Sequence, residues 1–259
     1  MTAADSRMPL TVIIPTLDEV DVIAQRVREV AWAAEVIVAD GGSSDGTVEA
    51  ARAAGARVLE HAGDSIAAQR NAAIAAASHG WVLALDADER CTPELVAELP
   101  AILAAPIHAA YQLRRRNFYL GEEQVRGRWG RDWVVRLFPR DRRYVERWMH
   151  ERLEDVADVG DLRGTLVHEP YRDLPHQLEK LVRYAEWGAR DLHDRGRRAS
   201  FWDLSMRPLT RFVRAWLGEG LILQGRRGLV AAVLGGCAAF FKYAVLFDLQ
   251  SRRDRTQRP

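Results

Sequence analysis

Four short strand patterns, three of them apolar runs, alternate with turns and helical patterns and constrain the fold of this chain more than any other feature. Residues 10–14 are rich in β-branched side chains and stop at Pro15-Thr16. Residues 35–39 stop at Asp40, Arg57–Glu60 reads as a short third strand, and residues 81–85 stop at Asp86-Ala87-Asp88-Glu89-Arg90. Unbroken apolar runs of this length mark strands buried on both faces, as in parallel sheets. Between the first two, Val20, Ile23, Val27 and Val30 line one face of a helix expected over 18–33. The turn Gly41-Gly42-Ser43-Ser44-Asp45-Gly46 opens a helix at 47–54 that Gly55 ends, and Asp64 is the expected cap of a helix running to Ser78. This alternation predicts an α/β fold with a doubly wound, mostly parallel sheet and a site along the strand C-termini.

Three strand ends then share one edge: 15–19, 40–46 and 86–89. In an extended tip Asp86 and Asp88 point to the same side, and two converging carboxylates repel unless a cation lies between them. Hard oxygen ligands suit Mg²⁺ or Mn²⁺. A solvated loop explains an isolated Asp-x-Asp equally well. What separates the two readings is the Asp40 tip, which can accept from a base imide or ribose hydroxyl, and the Gly/Ser turn, whose N–H groups a phosphate can approach. Together the three ends describe a nucleotide-diphosphate site with a divalent metal.

The length of 259 residues allows one large domain with an appendage. Net charge is +1, distributed as −9 over 1–109, +2 over 110–175 and +8 over 176–259. A basic last third calls for an anionic partner, nucleic acid or membrane surface. Cys91 and Cys237 make neither a disulfide framework nor a zinc spacing, so a reducing cytoplasm is expected, and residues 1–9 do not read as a secretory signal. Past residue 100, strands are expected at 111–119 and 133–138 around a Gly- and Arg-rich loop, and polar helices at 175–195 and 202–224. Residues 228–247 carry one charge, Lys242, with arginines on both sides (Arg226, Arg227; Arg252, Arg253, Arg255). Like charge at both ends favours a helix lying in the cytoplasmic interface over a simple crossing, and a buried packing helix is the other account. A bilayer suits this stretch better than nucleic acid does, so no nucleic-acid partner is expected.

The segments Ile-Pro-Thr-Leu-Asp-Glu (14–19), Val-Ile-Val-Ala-Asp-Gly-Gly-Ser-Ser-Asp-Gly-Thr (36–47), Gln-Arg-Asn (69–71) and Leu-Asp-Ala-Asp-Glu (85–89) resemble the inverting GT-A glycosyltransferases of the large family 2. Downstream, Trp129, Arg136-Leu137-Phe138, His150-Glu151 and His168-Glu169-Pro170-Tyr171 resemble the bacterial lipopolysaccharide-core glucosyltransferase branch. The resemblance implies a catalytic domain over 1–172, with a nucleotide-binding half at 10–100 and an acceptor half at 101–172. A helical region then follows over 173–259, with the interfacial segment 228–247 and a basic tail. It implies that Pro15, Thr16, Glu19, Asp40, Ser43, Asp45, Arg70, Asp86 and Ala87 hold a UDP-sugar, and that Asp88 with Asp86 binds the metal. The general base of inverting transfer is expected at Glu151, next to His150, with Asp132 as second choice. Trp129, Trp133 and Trp148 are candidates for stacking on the acceptor, and a basic run at Arg114-Arg115-Arg116 for phosphorylated groups. The implied activity moves a hexose, glucose by the resemblance, to a lipid-linked or lipopolysaccharide-core acceptor at the inner face of the cytoplasmic membrane. Transfer to a polyprenyl phosphate and a non-catalytic nucleotide-sugar binding module remain open alternatives, and the absence of an N-terminal Gly-rich loop with a basic finger disfavours a nucleotidyltransferase.

Overall fold

The computed structural model of the chain describes every residue except 1–6, 61–64, 126, 128, 146–151, 155 and 257–259, and all side chains of the rest except those of 253–256. The chain forms two compact units, one of residues 1–116 and 132–169, the other of 117–131 and 170–259.

The first unit begins with β1 (Met8–Thr16), α1 (Val20–Glu29), β2 (Ala33–Asp40), α2 (Thr47–Ala53), β3 (Arg57–Glu60), α3 (Ile66–Ala76) and β4 (Trp81–Ala84). It continues with β5 (Glu89–Cys91), α4 (Pro93–Ala104) and β6 (Ala110–Tyr119), the strand in which the chain leaves this unit. Past the short β7 (Glu122–Glu123) it returns as β8 (Asp132–Pro139), β9 (Tyr144–Val145), β10 (Arg152–Leu153) and β11 (Val159–His168). The large sheet has the order β3-β2-β1-β4-β8-β6-β11-β5, with β7 paired to β6. Its first four strands are all parallel, and β8 then opens an antiparallel half. The α/β class expected from the alternation is what the chain adopts.

Alternation along each strand produces two cores, one per sheet face. Leu10, Val12 and Ile14 of β1, with Val38 and Leu83, pack against Ile23 and Val27 of α1, Ala51 of α2, and Leu95 and Leu99 of α4. Ile13, Ile37, Ala39, Val82 and Ala84 face the other way, onto Ala67, Ala73 and Ile74 of α3. Helices on both faces are what doubly wound means physically. Pro15 does not end β1 but pairs with Ala39 inside it. Pairing of β1 with β4 stops at Ile13, so Pro15 interrupts no ladder on that side. The α3 cap is Ser65, whose hydroxyl accepts from Ala68 N at 3.3 Å; Asp64 lies outside the described residues.

Strand β11 is absent from the sequence-based expectation, and its packing says why. Its inward positions are Gly160, Leu162, Gly164 and Leu166, so glycine replaces half of the apolar signal. A Cβ on Gly164 would sit 2.2 Å from Leu95 Cα. Only glycine lets α4 approach this strand so closely.

The second unit contains α5 (Leu174–Asp194), α6 (Phe201–Val213), a π turn over Arg214–Gly218, a 3₁₀ turn over Leu221–Gln224 and α7 (Gly225–Thr256). Asp173 caps α5, and Ser200 with Asp203 forms a capping box on α6. Helix α7 is longer than the apolar stretch that announces it. The chain reverses between α6 and α7, so Arg207 lies over the Tyr243 ring at 5.2 Å while Ala199 N donates to Gln250 Oε1 at 3.1 Å. A Cβ on Gly236 would meet the Pro208 carbonyl at 3.1 Å. Small residues that dilute the hydrophobicity of 228–247 are therefore where α6 packs. Ala189 of α5 meets Tyr243 and Leu246 to complete the small core.

Candidate active site

Each strand tip of the parallel half carries one part of the candidate site. At the β1 tip, Thr16 is 4% exposed and its Oγ1 has no hydrogen-bond partner among the described residues. Asp18 follows in the left-handed region (φ 53°) and receives Ser44 N on its carboxylate at 3.0 Å. At the β2 tip, Asp40 is buried and turns back on its own loop. It accepts Gly42 N and Ser43 N at 2.9 Å each, and the Ser43 hydroxyl. Ser43 Oγ in turn accepts Asp18 N at 2.8 Å. Asp45 accepts Val20 N at 3.1 Å and Thr47 N at 3.0 Å, while Thr47 Oγ1 accepts the backbone N–H of Glu19 at 2.8 Å. Burial alone would raise the Asp45 carboxyl, but these hydrogen bonds hold it below its usual range. The Asp-Gly-Gly-Ser-Ser-Asp-Gly-Thr segment thus locks the 16–20 and 40–47 loops together. Asp40, Gly42 and Ser43, with Val48, Glu49, Arg52 and Glu60, line a 300 Å³ pocket.

At the β4 tip the two aspartates have different surroundings. Asp86 pairs with Arg70 of α3, and its Oδ2 lies 2.6 Å from Arg136 of β8 and 4.0 Å from Arg115 of β6. Glu89, fully buried, accepts Asp86 N at 3.0 Å and holds Arg136 at 2.7 Å and Arg115 at 3.1 Å. Asp132 anchors Arg115 from the far side, its Oδ2 accepting the guanidinium at 2.9 and 2.8 Å. Three guanidiniums therefore interlock with three carboxylates. Burial would raise the Asp86 carboxyl, yet Arg136, Arg70 and Arg115 outweigh it and hold the group far below the carboxylate range. The reverse holds for Arg136: burial opposes its charge, but Asp86 and Glu89 keep it well above the ordinary guanidinium value.

Asp88 faces the other way, with its Oδ1 3.4 Å from His168 Nε2. Strand β11 pairs antiparallel with β5 in the register His168↔Glu89, and Glu169 N donates to the Asp88 carbonyl at 3.0 Å. Burial disfavours the charged imidazole, but the hydrogen bond and charge of Asp88 raise the His168 pKa. Ala87, between the two aspartates, is buried. Among the described residues, no three His, Cys, Asp or Glu side chains cluster as a metal cage.

Beside the arginine network a cleft of 480 Å³ is lined by Arg70, Asp86, Arg115, Trp133, Arg136, Tyr144 and Arg152, among others. Arg70 stacks over the Tyr144 ring at 4.8 Å. Asn71 fixes Tyr144 by donating to its carbonyl at 2.9 Å and accepting its N–H at 2.8 Å. Trp133 lines this cleft, whereas Trp129 packs edge-on against Tyr119 in the second unit. Glu151, His150 and Trp148, the first two expected at the catalytic centre, lie outside the described residues. Glu89 closes the Leu-Asp-Ala-Asp-Glu segment but has no role assigned to it there, and Tyr144 carries no motif signal. Arg115 and Arg136 carry only a weak one, as members of a basic run and of Arg-Leu-Phe.

A buried strand edge that gathers a Gly/Ser loop, paired acids and a set of guanidiniums makes this edge the candidate active site of an α/β enzyme. Residues 11–154 match the family model described as glycosyl transferase family 2, and the chain belongs to that family of glycosyltransferases. It is 28% identical to the lipopolysaccharide core biosynthesis glycosyltransferase LpsC of Rhizobium meliloti (strain 1021), over 96% of each chain. A glycosyltransferase of Rickettsia typhi is 26% identical over 83% of this chain and 78% of its own. Among solved structures, the Mycobacterium tuberculosis glucosyl-3-phosphoglycerate synthase in complex with Mn²⁺, UDP and glucosyl-3-phosphoglycerate is 24% identical. The match covers 42% of this chain and 44% of that one, with a TM-score of 0.36.

Proposed function

We propose that the chain is an inverting, metal-dependent hexosyltransferase that moves glucose from a UDP-sugar to a lipopolysaccharide-core acceptor at the inner face of the cytoplasmic membrane. The observation that carries this reading is the division of labour at the β4 tip, where Asp86 enters the arginine network and Asp88 stands beside His168. The end-to-end match with a lipopolysaccharide core glycosyltransferase supports the acceptor class, and the basic, apolar α7 region supports the membrane location.

The residues fit a divalent cation. A carboxylate and an imidazole nitrogen 3.4 Å apart approach the spacing of two neighbouring ligands on one octahedral ion, about 3 Å for bonds of the length Mg²⁺ makes. Such an ion takes one or two protein ligands and completes its shell with substrate phosphates and water, so a three-residue cage is not required. Asp88 and His168 would hold it, not the expected Asp88–Asp86 pair, since the Asp86 carboxylate is taken up by Arg70 and Arg136; the ion would neutralise charge on the departing diphosphate. Thr16, Asp40 and the 42–45 loop receive the uridine. A bound base or ribose supplies the partner that Thr16 Oγ1 lacks. Arg70 stands at the cleft wall to meet the diphosphate, and Trp133 offers the acceptor ring a flat apolar face. Glu151 is the base that takes the acceptor hydroxyl proton in this reading, ahead of Asp132, whose carboxylate orients Arg115.

Two measurements test this. With Mn²⁺ present, saturating UDP-hexose should raise the melting temperature by about 5–10 °C, as ligand at a hundredfold its Kd does in a chain of this size. Stabilisation by another nucleotide sugar alone would exclude the UDP donor, and a lipid-phosphate sugar among the products would exclude the core acceptor. Glu151→Gln should cost roughly 10²–10⁴ in turnover with UDP affinity kept. Equal losses in both would make Glu151 structural.

A further inference from the structure

Apolar side chains are distributed unevenly between the units. Most of the exposed large ones belong to the second unit, and many of those lie on α6, α7 and the turns between them. On α7, Leu229, Val233, Phe240 and Phe247 are spaced so that all four fall within about 40° of one another around the helix. They form one stripe about 27 Å long. On α6, Trp202, Leu209 and Val213 repeat the same spacing, and Phe201 beside them is 85% exposed. Leu217, Ile222 and Leu223 continue the apolar surface through the connecting turns. Sequence periodicity places α6 in a polar helix, because its arginines alternate with these residues.

The charge on this hairpin identifies what covers it. Residues 196–252 hold nine Lys or Arg and three Asp or Glu. All three acids are already paired within the unit: Asp203 with Arg197 and Arg207, Glu219 with Arg211, and Asp248 with Arg252. Arg214 and Arg252 extend outward, both more than two-thirds exposed. A second copy would bring like charge against like charge. An anionic bilayer surface offers both an apolar layer for the stripes and phosphates for the arginine rim.

Resting on the membrane location given above, we propose that the α6–α7 hairpin, with α6 as a full partner, lies flat in one anionic leaflet as the membrane-docking surface. A crossing by α7 is disfavoured by its neighbour. Helix α6 runs antiparallel alongside it and would carry Arg207 and Arg211, with Arg214 just past its end, into hydrocarbon.

The test uses the full-length protein and vesicles of phosphatidylcholine alone or with 30% phosphatidylglycerol. Wild type should sediment with the anionic vesicles, and far less with the neutral ones. Phe201→Ser combined with Trp202→Ser removes two exposed aromatic rings, leaves the small core of α5 and α7 intact, and should weaken binding about a hundredfold. Wild-type binding that this variant leaves unchanged overturns the role of α6 while the membrane reading stands. No sedimentation of wild type with either vesicle overturns both. If wild type ignores vesicles but is a dimer that the variant converts to monomer, a second copy is the occupant and the proposal fails.

Discussion

Asp88→Asn should lower turnover by about three orders of magnitude, an effect of roughly 4 kcal/mol on the barrier. The size follows from what the carboxylate does in the site assigned above. It is the only carboxylate of the Asp86/Asp88 pair turned away from the arginine network, and it stands 3.4 Å from His168. Loss of its charge would take a hard ligand from the proposed cation, which would otherwise neutralise a leaving diphosphate. Two titrations separate this from general damage to the site. UDP affinity measured with Mn²⁺ should fall, while UDP affinity measured in chelator should stay at the wild-type value. Undiminished turnover would refute the metal assignment. Asp86→Asn should behave differently, because its loss disturbs the guanidiniums first.

Arg136→Met should destabilise the protein by about 3–5 kcal/mol, the usual result of stripping one partner from a buried ion network. In a chain of this size that corresponds to roughly 10 °C in melting temperature. Arg136 is almost fully buried and holds both Asp86 and Glu89. Removing it leaves two carboxylates sharing Arg70 and Arg115, with Glu89 inaccessible to water. Adding Glu89→Gln to Arg136→Met should recover part of the loss, since the second change removes the stranded charge. A single variant within about 1 kcal/mol of wild type in denaturant unfolding would show that the network is maintained for catalysis alone.

The parts of the site legible in the sequence are those whose chemistry is local. The Asp86-Ala87-Asp88 tip, the Asp40 turn and the Thr16 strand end are each read from a few consecutive residues, because a buried run that stops on an acid has few structural meanings. Thr47 is another case: it closes the loop through Asp45, two residues away. What is not legible depends on contacts far along the chain. Asp86 draws guanidiniums from positions 70, 115 and 136, and nothing in their local sequence announces a shared carboxylate. His168 reaches Asp88 only through β11, whose alternation is masked by Gly160 and Gly164. The same holds for α7. Its apolar length is visible in the sequence, but the role of Gly236 appears only with Pro208 beside it.

The route of β6 has a consequence for the order in which the protein can be completed during synthesis. The strand crosses from one unit to the other between Arg116 and Asn117, and the stretch 117–131 belongs with helices made much later. Tyr119, buried, donates its hydroxyl to Gln177 of α5 at 3.0 Å and packs edge-on against Tyr171. Until the ribosome has delivered α5, this tyrosine and its strand end have no finished surroundings, even if the parallel sheet has already assembled. The nascent chain must therefore hold an exposed aromatic segment in waiting across some fifty residues of elongation, on the order of several seconds. Chaperone dependence in this protein should concentrate in that interval.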